Sequence, residues 1–291
     1  MKIKALMVLA AAYLSIYLAI FCYVKYFELE KPLFLTHYYE KIAAESSSIV
    51  EFNLFYFVNQ SEEKHLVGVS TKGESESIFR LKSDVAEYHE GVYVGRNALI
   101  EGTLVEDELV LNEMVFLFSD GSHQEADIGE IRLIKEILNK KKMIDFFGTG
   151  SSNQGESFYG GKITSDATLV GIHYPFEKKL DSLITMKLNS TNDYNPAYPE
   201  TVNLEITNKM EYLKVEELPL ELERKELLRL NGVINKDKMY TNGIHALEFQ
   251  VYGYFKTKDG TFQDIIMHIG ERLYLTQQEI KKIDRKREEN Q

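Results

Sequence analysis

The sequence has no tryptophan, one cysteine, five prolines and no excess of positive charge. Each shortage removes a class of protein. A lone cysteine, Cys22, closes no internal disulfide, and without a CxxC or paired Cys/His spacing there is no zinc motif. The fold must rest on burial of apolar surface. Asp and Glu number 45 against 34 Lys plus Arg, a net charge of −11, so the chain lacks the basic balance that attraction to phosphate backbones needs. No nucleic-acid partner is expected. What is present is 291 residues at 44% hydrophobic content, enough for one large domain or two ordinary ones. The aromatic share is all Phe and Tyr, which with few prolines favours strands.

One long uncharged run stands out, ALMVLAAAYLSIYLAIFCYV at residues 5–24. Twenty helical residues rise about 30 Å, the thickness of a bilayer's hydrocarbon core. A cleaved signal would need small residues at the end of the run, where the chain reads Ala19-Ile20-Phe21-Cys22-Tyr23-Val24. A lipoprotein cysteine would need a small residue before it, and Phe21 stands there. The reading is an uncleaved anchor whose partner is the lipid bilayer, with Cys22 as a small apolar side chain. Lysines flank both ends, Lys2 and Lys4 before and Lys25, Lys31 and Lys41 after, so their count does not orient the segment. A short tail ahead of a first apolar segment is the usual layout of a signal anchor, which places residues 26–291 outside the cytoplasm, at the cell membrane.

Beyond residue 47 the apolar period is two. In HALEFQVYGYF, Leu247, Phe249, Val251 and Phe255 alternate with Glu248, Gln250, Tyr252 and Tyr254, and TVNLEIT at 201–207 does the same. Such alternation predicts antiparallel sheet with one wet face. Strands are read near 48–58, 65–70, 99–105, 108–118, 126–134, 167–174, 182–189, 201–208, 211–216, 226–234, 245–255 and 262–275. Helix is read only at 32–46, 131–144 and the charged end 276–288. The composition FFGTGSSNQGESFYGG at 146–161 reads as a Gly/Ser-rich joint.

On either side of that joint three short motifs recur in order. Gly102 through Asp107 to Asn112 matches Gly232 through Asp237 to Asn242; an aromatic strand ending in Asp120-Gly121 matches one ending in Asp259-Gly260; and Ile128-Gly129-Glu130 matches Ile269-Gly270-Glu271. The expected organisation is mainly β: an anchor helix at 1–25, a juxtamembrane helical segment at 26–46, a first β-domain at 47–145, the linker, a second β-domain at 162–276 and a charged tail at 277–291. The domains are read as tandem antiparallel sandwiches of the immunoglobulin or fibronectin III kind, related by internal duplication.

Candidate chemistry is thin. Gly150 to Ser157 has the spacing of a phosphate-binding loop, but Glu156 stands where the motif places its lysine, so no nucleotide is expected. The histidines at 37, 65, 89, 123, 173, 245 and 268 never fall at metal-ligand spacing. The repeated acids Asp107, Asp237, Asp120, Asp259, Glu130 and Glu271 could form carboxylate sites for calcium or acid/base work, but Asp-Gly between strands is first a hairpin turn. No G-x-S-x-G and no cysteine outside the apolar run supplies a nucleophile. The basic-looking end carries five positive and four negative charges from Glu279 to Glu289, a solvated tail. Asn59-Gln-Ser61 and Asn189-Ser-Thr191 match the glycosylation sequon. Lys outnumbers Arg 26 to 8, a bias of AT-rich genomes that points to a bacterial origin.

No catalytic, cofactor or metal residue is therefore assigned. The favoured function is non-catalytic binding or scaffolding of another envelope component by a single-pass extracytoplasmic protein. Two alternatives are an anchored hydrolase acting on wall polymer or glycan through paired carboxylates, and a docking module with the acidic body in the cytoplasm.

Overall fold

The computed structural model describes residues 2–43, 47–62, 64–72, 78–135, 141–152, 155–180, 182–191, 213–214 and 217–289. Helix α1, Lys2–Phe27, is long and apolar enough to cross a membrane over Ala5–Phe27, with a mean hydropathy of 2.3. Its apolar side chains, among them Leu6, Leu9, Ile16 and Phe21, stand exposed. The rest is mainly β.

In the first half the strands are β1 (Leu33–Phe34), β2 (His37–Ala43), β3 (Ile49–Asn59), β4 (Leu66–Thr71), β5 (Ile78–Glu90), β6 (Tyr93–Thr103), β7 (Glu108–Phe118) and β8 (His123–Lys135). The second half holds β9 (Ile144–Ser151), β10 (Glu156–Ile163), β11 (Ala167–His173), helix α2 (Glu177–Leu180), β12 (Ile184–Thr191), β13 (Leu213–Lys214), β14 (Leu220–Leu222), β15 (Leu227–Ile234), helix α3 (Lys236–Thr241), β16 (Ala246–Thr257), β17 (Gly260–Arg272) and helix α4 (Gln277–Glu289). They form a four-stranded sheet β1-β3-β6-β5, a five-stranded sheet β13-β12-β15-β10-β9, and an eight-stranded sheet β14-β11-β16-β2-β8-β7-β4 with β17 on β16.

The period-two reading holds where one face is buried. On β16, Phe249, Val251 and Phe255 are fully buried while Glu248, Gln250 and Tyr252 are half exposed. Two apolar clusters result. One gathers Phe34, Phe52, Leu54, Tyr56, Phe116 and Phe118 from the first half; the other joins Leu169, Leu228, Phe249 and Phe255 to Phe27, Leu29 and Tyr93. The core of the second half thus includes the end of α1.

Several expectations need correction. The segment read as helical at 26–46 is not helical from residue 28 to residue 43, and 44–46 lie outside the described residues: it forms β1 and β2, because HYYEKIA is rich in β-favouring aromatics and buries His37, Tyr39 and Ala43. β2 also breaks the all-antiparallel pattern, pairing parallel with β16 on one side and β8 on the other. It places strands from both halves in one sheet. The helix read at 131–144 is the end of β8, where Ile131 and Leu133 are buried on alternate positions, followed by residues 136–140, which lie outside the described residues. The segment read as a linker at 146–161 folds as the β9–β10 hairpin. Two of its glycines face aromatic rings: a Cβ on Gly150 would lie 2.1 Å from Phe158, and one on Gly160 2.4 Å from Phe147. Composition resembling a flexible joint is here a cross-strand fit. The helix at 276–288 is present as α4. β5, β9, β10 and β14 escaped the sequence reading, and the strand read at 201–208 lies outside the described residues.

Both halves show the same pairing order. β3 and β5 flank β6, β4 pairs with β7, and β7 with β8; likewise β10 and β12 flank β15, β11 pairs with β16, and β16 with β17.

Candidate functional site

The repeated acids do not converge. Asp120 and Asp259 each occupy a hairpin turn, beside Gly121 at φ 81° and Gly260 at φ 136°. Asp120 accepts the backbone N–H of Ser122 at 2.9 Å and its hydroxyl at 2.6 Å, and faces Lys64 at 3.0 Å. Those bonds lower its carboxyl to about 2. Asp259 faces Lys141 at 2.8 Å, which holds it below the usual carboxylate range. Asp107 sits in the β6–β7 turn with its side chain 98% exposed, whereas Asp237 opens α3. Glu130 accepts from Arg132 and from Lys179 at 2.6 Å, which hold its carboxyl down against the opposing effect of burial. Glu271 pairs with Lys236 at 2.9 Å. Asp120, Asp259, Glu130 and Glu271 each answer a cation of their own in their own place. Among the described residues no group of three or more His, Cys, Asp or Glu could hold a metal ion.

Two histidines are buried and five are exposed. His37 opens β2: its Nε2 accepts the N–H of Phe55 at 3.0 Å and its Nδ1 lies 3.2 Å from the carbonyl of Ile128, which fits a neutral ring protonated at Nδ1. His245 Nδ1 accepts the N–H of Thr36 at 3.0 Å, and Arg287 of α4 donates to Thr36 Oγ1 at 3.3 Å. Burial lowers both imidazoles to about 3. This polar seam ties β2, β3, β8 and α4 together where the halves meet.

A concavity of about 510 Å³ lies beside the seam. Thr36 and Tyr38 of β2, Leu109 to Glu113 of β7, Asp127 and Gly129 of β8, Lys72 and Lys179 line it. Its cations are already paired: Lys72 with Glu113 at 2.8 Å and Glu125 at 3.0 Å, Lys179 with Glu130. Such an open, polar, charge-balanced cleft suits contact with a polar partner surface better than capture of a small apolar ligand.

At the other end of the seam α1 docks on the body. Phe27 is buried, and its carbonyl accepts the hydroxyl of Tyr93. Asn59 is also buried. Its Oδ1 accepts the N–H of Leu29 and its Nδ2 donates to the carbonyl of Leu29, each at 2.8 Å, so this sequon asparagine clamps the chain just after α1 and is closed to a glycan. Asn189, the other sequon residue, lies within β12. Gln277 Nε2 donates to the Tyr23 hydroxyl at 3.0 Å, and the Arg285 guanidinium lies 4.7 Å over the Tyr26 ring. The sequence reading missed this junction. Its signal was Tyr23, Tyr26 and Phe27 at the end of the apolar run, an aromatic belt of the kind found at bilayer interfaces. The phosphate-loop look-alike is the β9–β10 turn, where the Ser152 N–H bonds the carbonyl of Glu156 at 2.8 Å.

No family model and no curated protein matches the chain. Among solved structures it is similar to a secreted serine protease, VesC, from Vibrio cholerae, at 8% identity and a TM-score of 0.22, covering 80% of this chain and 49% of that one. The chain thus spans about half the length of that protease. It is also similar to a protein of unknown function from Porphyromonas gingivalis W83, at 8% identity and a TM-score of 0.20, covering 81% of this chain and 95% of that one. Likeness at this level carries no functional argument.

Proposed function

We propose that this is a single-pass, membrane-anchored extracytoplasmic protein that scaffolds another envelope component and performs no catalysis. The observation that carries the reading is the docking of α1. Phe27 and Leu29 belong to the core of the second half, and Tyr93 and Asn59 bond the backbone on either side of residue 28. A chain cut near residue 24 would keep those contacts but lose Tyr23, whose hydroxyl accepts from Gln277 Nε2 at 3.0 Å; an anchor that holds a body at a fixed pose on the bilayer keeps both. The separate ion pairs of the repeated acids favour turns over a hydrolytic pair, and the polar cleft beside β2 is the natural contact surface. The test has two arms. Protease added to intact cells should degrade the body, and the full chain should show no turnover of wall polymer or glycan; turnover abolished by D120N or D259N would overturn the non-catalytic reading, and protection of the body would overturn the exported one.

We also propose that the two halves are sandwich-like units descended from one ancestor. Besides the shared pairing order, Leu66-Val67-Gly68 on β4 and Leu169-Val170-Gly171 on β11 carry the same bulge, facing Phe118 and Leu117 in one half and Phe255 and Tyr254 in the other. Gly102 and Gly232 fall on the matching strands β6 and β15. Ala at Gly68 and at Gly171 should change stability alike; opposite effects would count against common descent.

A further inference from the structure

We propose that α4 is a lipid-headgroup surface whose exposed residues Lys282, Arg285 and Lys286 bind anionic phospholipid; the proposal rests on the anchored reading. By sequence the charges of this helix nearly cancel, five positive against four negative. The fold sorts them. Glu279 is used as a cap, accepting the N–H and hydroxyl of Thr276 at 2.8 Å each. Asp284 is buried and takes Lys281 at 2.8 Å, and Arg287 turns inward to Thr36. Lys282, Arg285 and Lys286 remain exposed at helical spacing on one face, with Glu288 and Glu289 beyond them in the last turn.

The position of that face follows from its contacts with α1. Gln277 touches Tyr23, Lys281 donates to the carbonyl of Glu28 at 3.1 Å, and Arg285 covers Tyr26. Tyr23 and Tyr26 are about 4.5 Å apart along α1, whereas Gln277 and Arg285 are about 12 Å apart along α4. The terminal helix therefore lies across the end of α1 rather than beside it. A helix in that place sits in the headgroup layer, where each basic side chain adds to attraction for acidic lipid.

The test offers phosphatidylglycerol and phosphatidylcholine in equal amounts to the full chain in detergent micelles and counts bound lipid by native mass spectrometry. The expected result is a preference for phosphatidylglycerol of about tenfold or more, weakened by salt, and abolished in both K282E/R285E/K286E and K282Q/R285Q/K286Q. Circular dichroism should show the strand signal unchanged in both variants. A wild type without preference, or a preference that survives the variants, overturns the proposal. An alkaline wash of reconstituted vesicles separates the two readings: a chain that washes off loses the anchor and this proposal with it, while a chain that stays on without lipid preference loses only the proposal.

Discussion

The hairpins β7–β8 and β16–β17 occupy the same place in their halves and carry the same triplet on the outgoing strand, Ile128-Gly129-Glu130 and Ile269-Gly270-Glu271. Their surroundings differ. β8 is covered by β2, and at Gly129, with φ at 97°, a Cβ would lie 2.2 Å from the carbonyl oxygen of His37. Among the described residues β17 pairs only with β16, and a Cβ on Gly270 would meet nothing nearer than the His268 ring at 3.5 Å. One glycine is demanded by a close backbone approach and the other is not. A repeated motif therefore need not carry a repeated role: what distinguishes the halves is the strand β2, threaded in parallel between them just after the anchor.

The largest predicted effect breaks that asymmetry. Gly129→Ala combines a left-handed backbone with backbone overlap and should cost about 4 kcal/mol or prevent folding, while Gly270→Ala should stay within about 0.5 kcal/mol in a urea melt. Equal costs would mean that β2 is not held against β8 as described.

The buried histidines of the same seam give the next effect. Both are lowered by burial to about 3 from the usual imidazole value of 6.5. As pH falls below the unfolded value, the unfolded chain takes up protons that the folded chain refuses, so stability is full above that value and is lost as pH drops toward the folded one. From about pH 7 to about pH 5 the loss should be roughly 3 kcal/mol, and His37→Gln should flatten the slope by about half. An unchanged slope would place His37 outside the titration.

Asn59→Ala removes both bonds to Leu29 and should cost about 2 kcal/mol, exposing residues just after α1 to proteolysis before the rest. Asp120→Asn and Asp259→Asn, at the exposed hairpin tips, should give the smallest shifts in melting midpoint, since each loses one exposed ion pair. A large loss at either tip would reopen the question of an acidic site there.

How far the chain could be read in advance depended on which forces act locally. The apolar run of α1 and the alternation of β16 are local and legible. β2 was misread because Tyr38, Tyr39 and Ile42 also suit a helix face, and only its partners β8 and β16, more than 80 residues away, decide for strand. The β9–β10 hairpin was misread because glycine opposite a ring looks in sequence like glycine in a linker. The Asp-Gly turns were legible since their chemistry is complete within a few residues. The anchor junction was not, because Asn59, Tyr93 and Gln277 reach α1 and Leu29 from three distant segments.

The claim on which the rest depends is that α1 stays attached and docked. The intact mass of the protein extracted from its native membrane tests it most directly: the account predicts a mass that still includes residues 5–24. A mature chain that begins near residue 25 would contradict it.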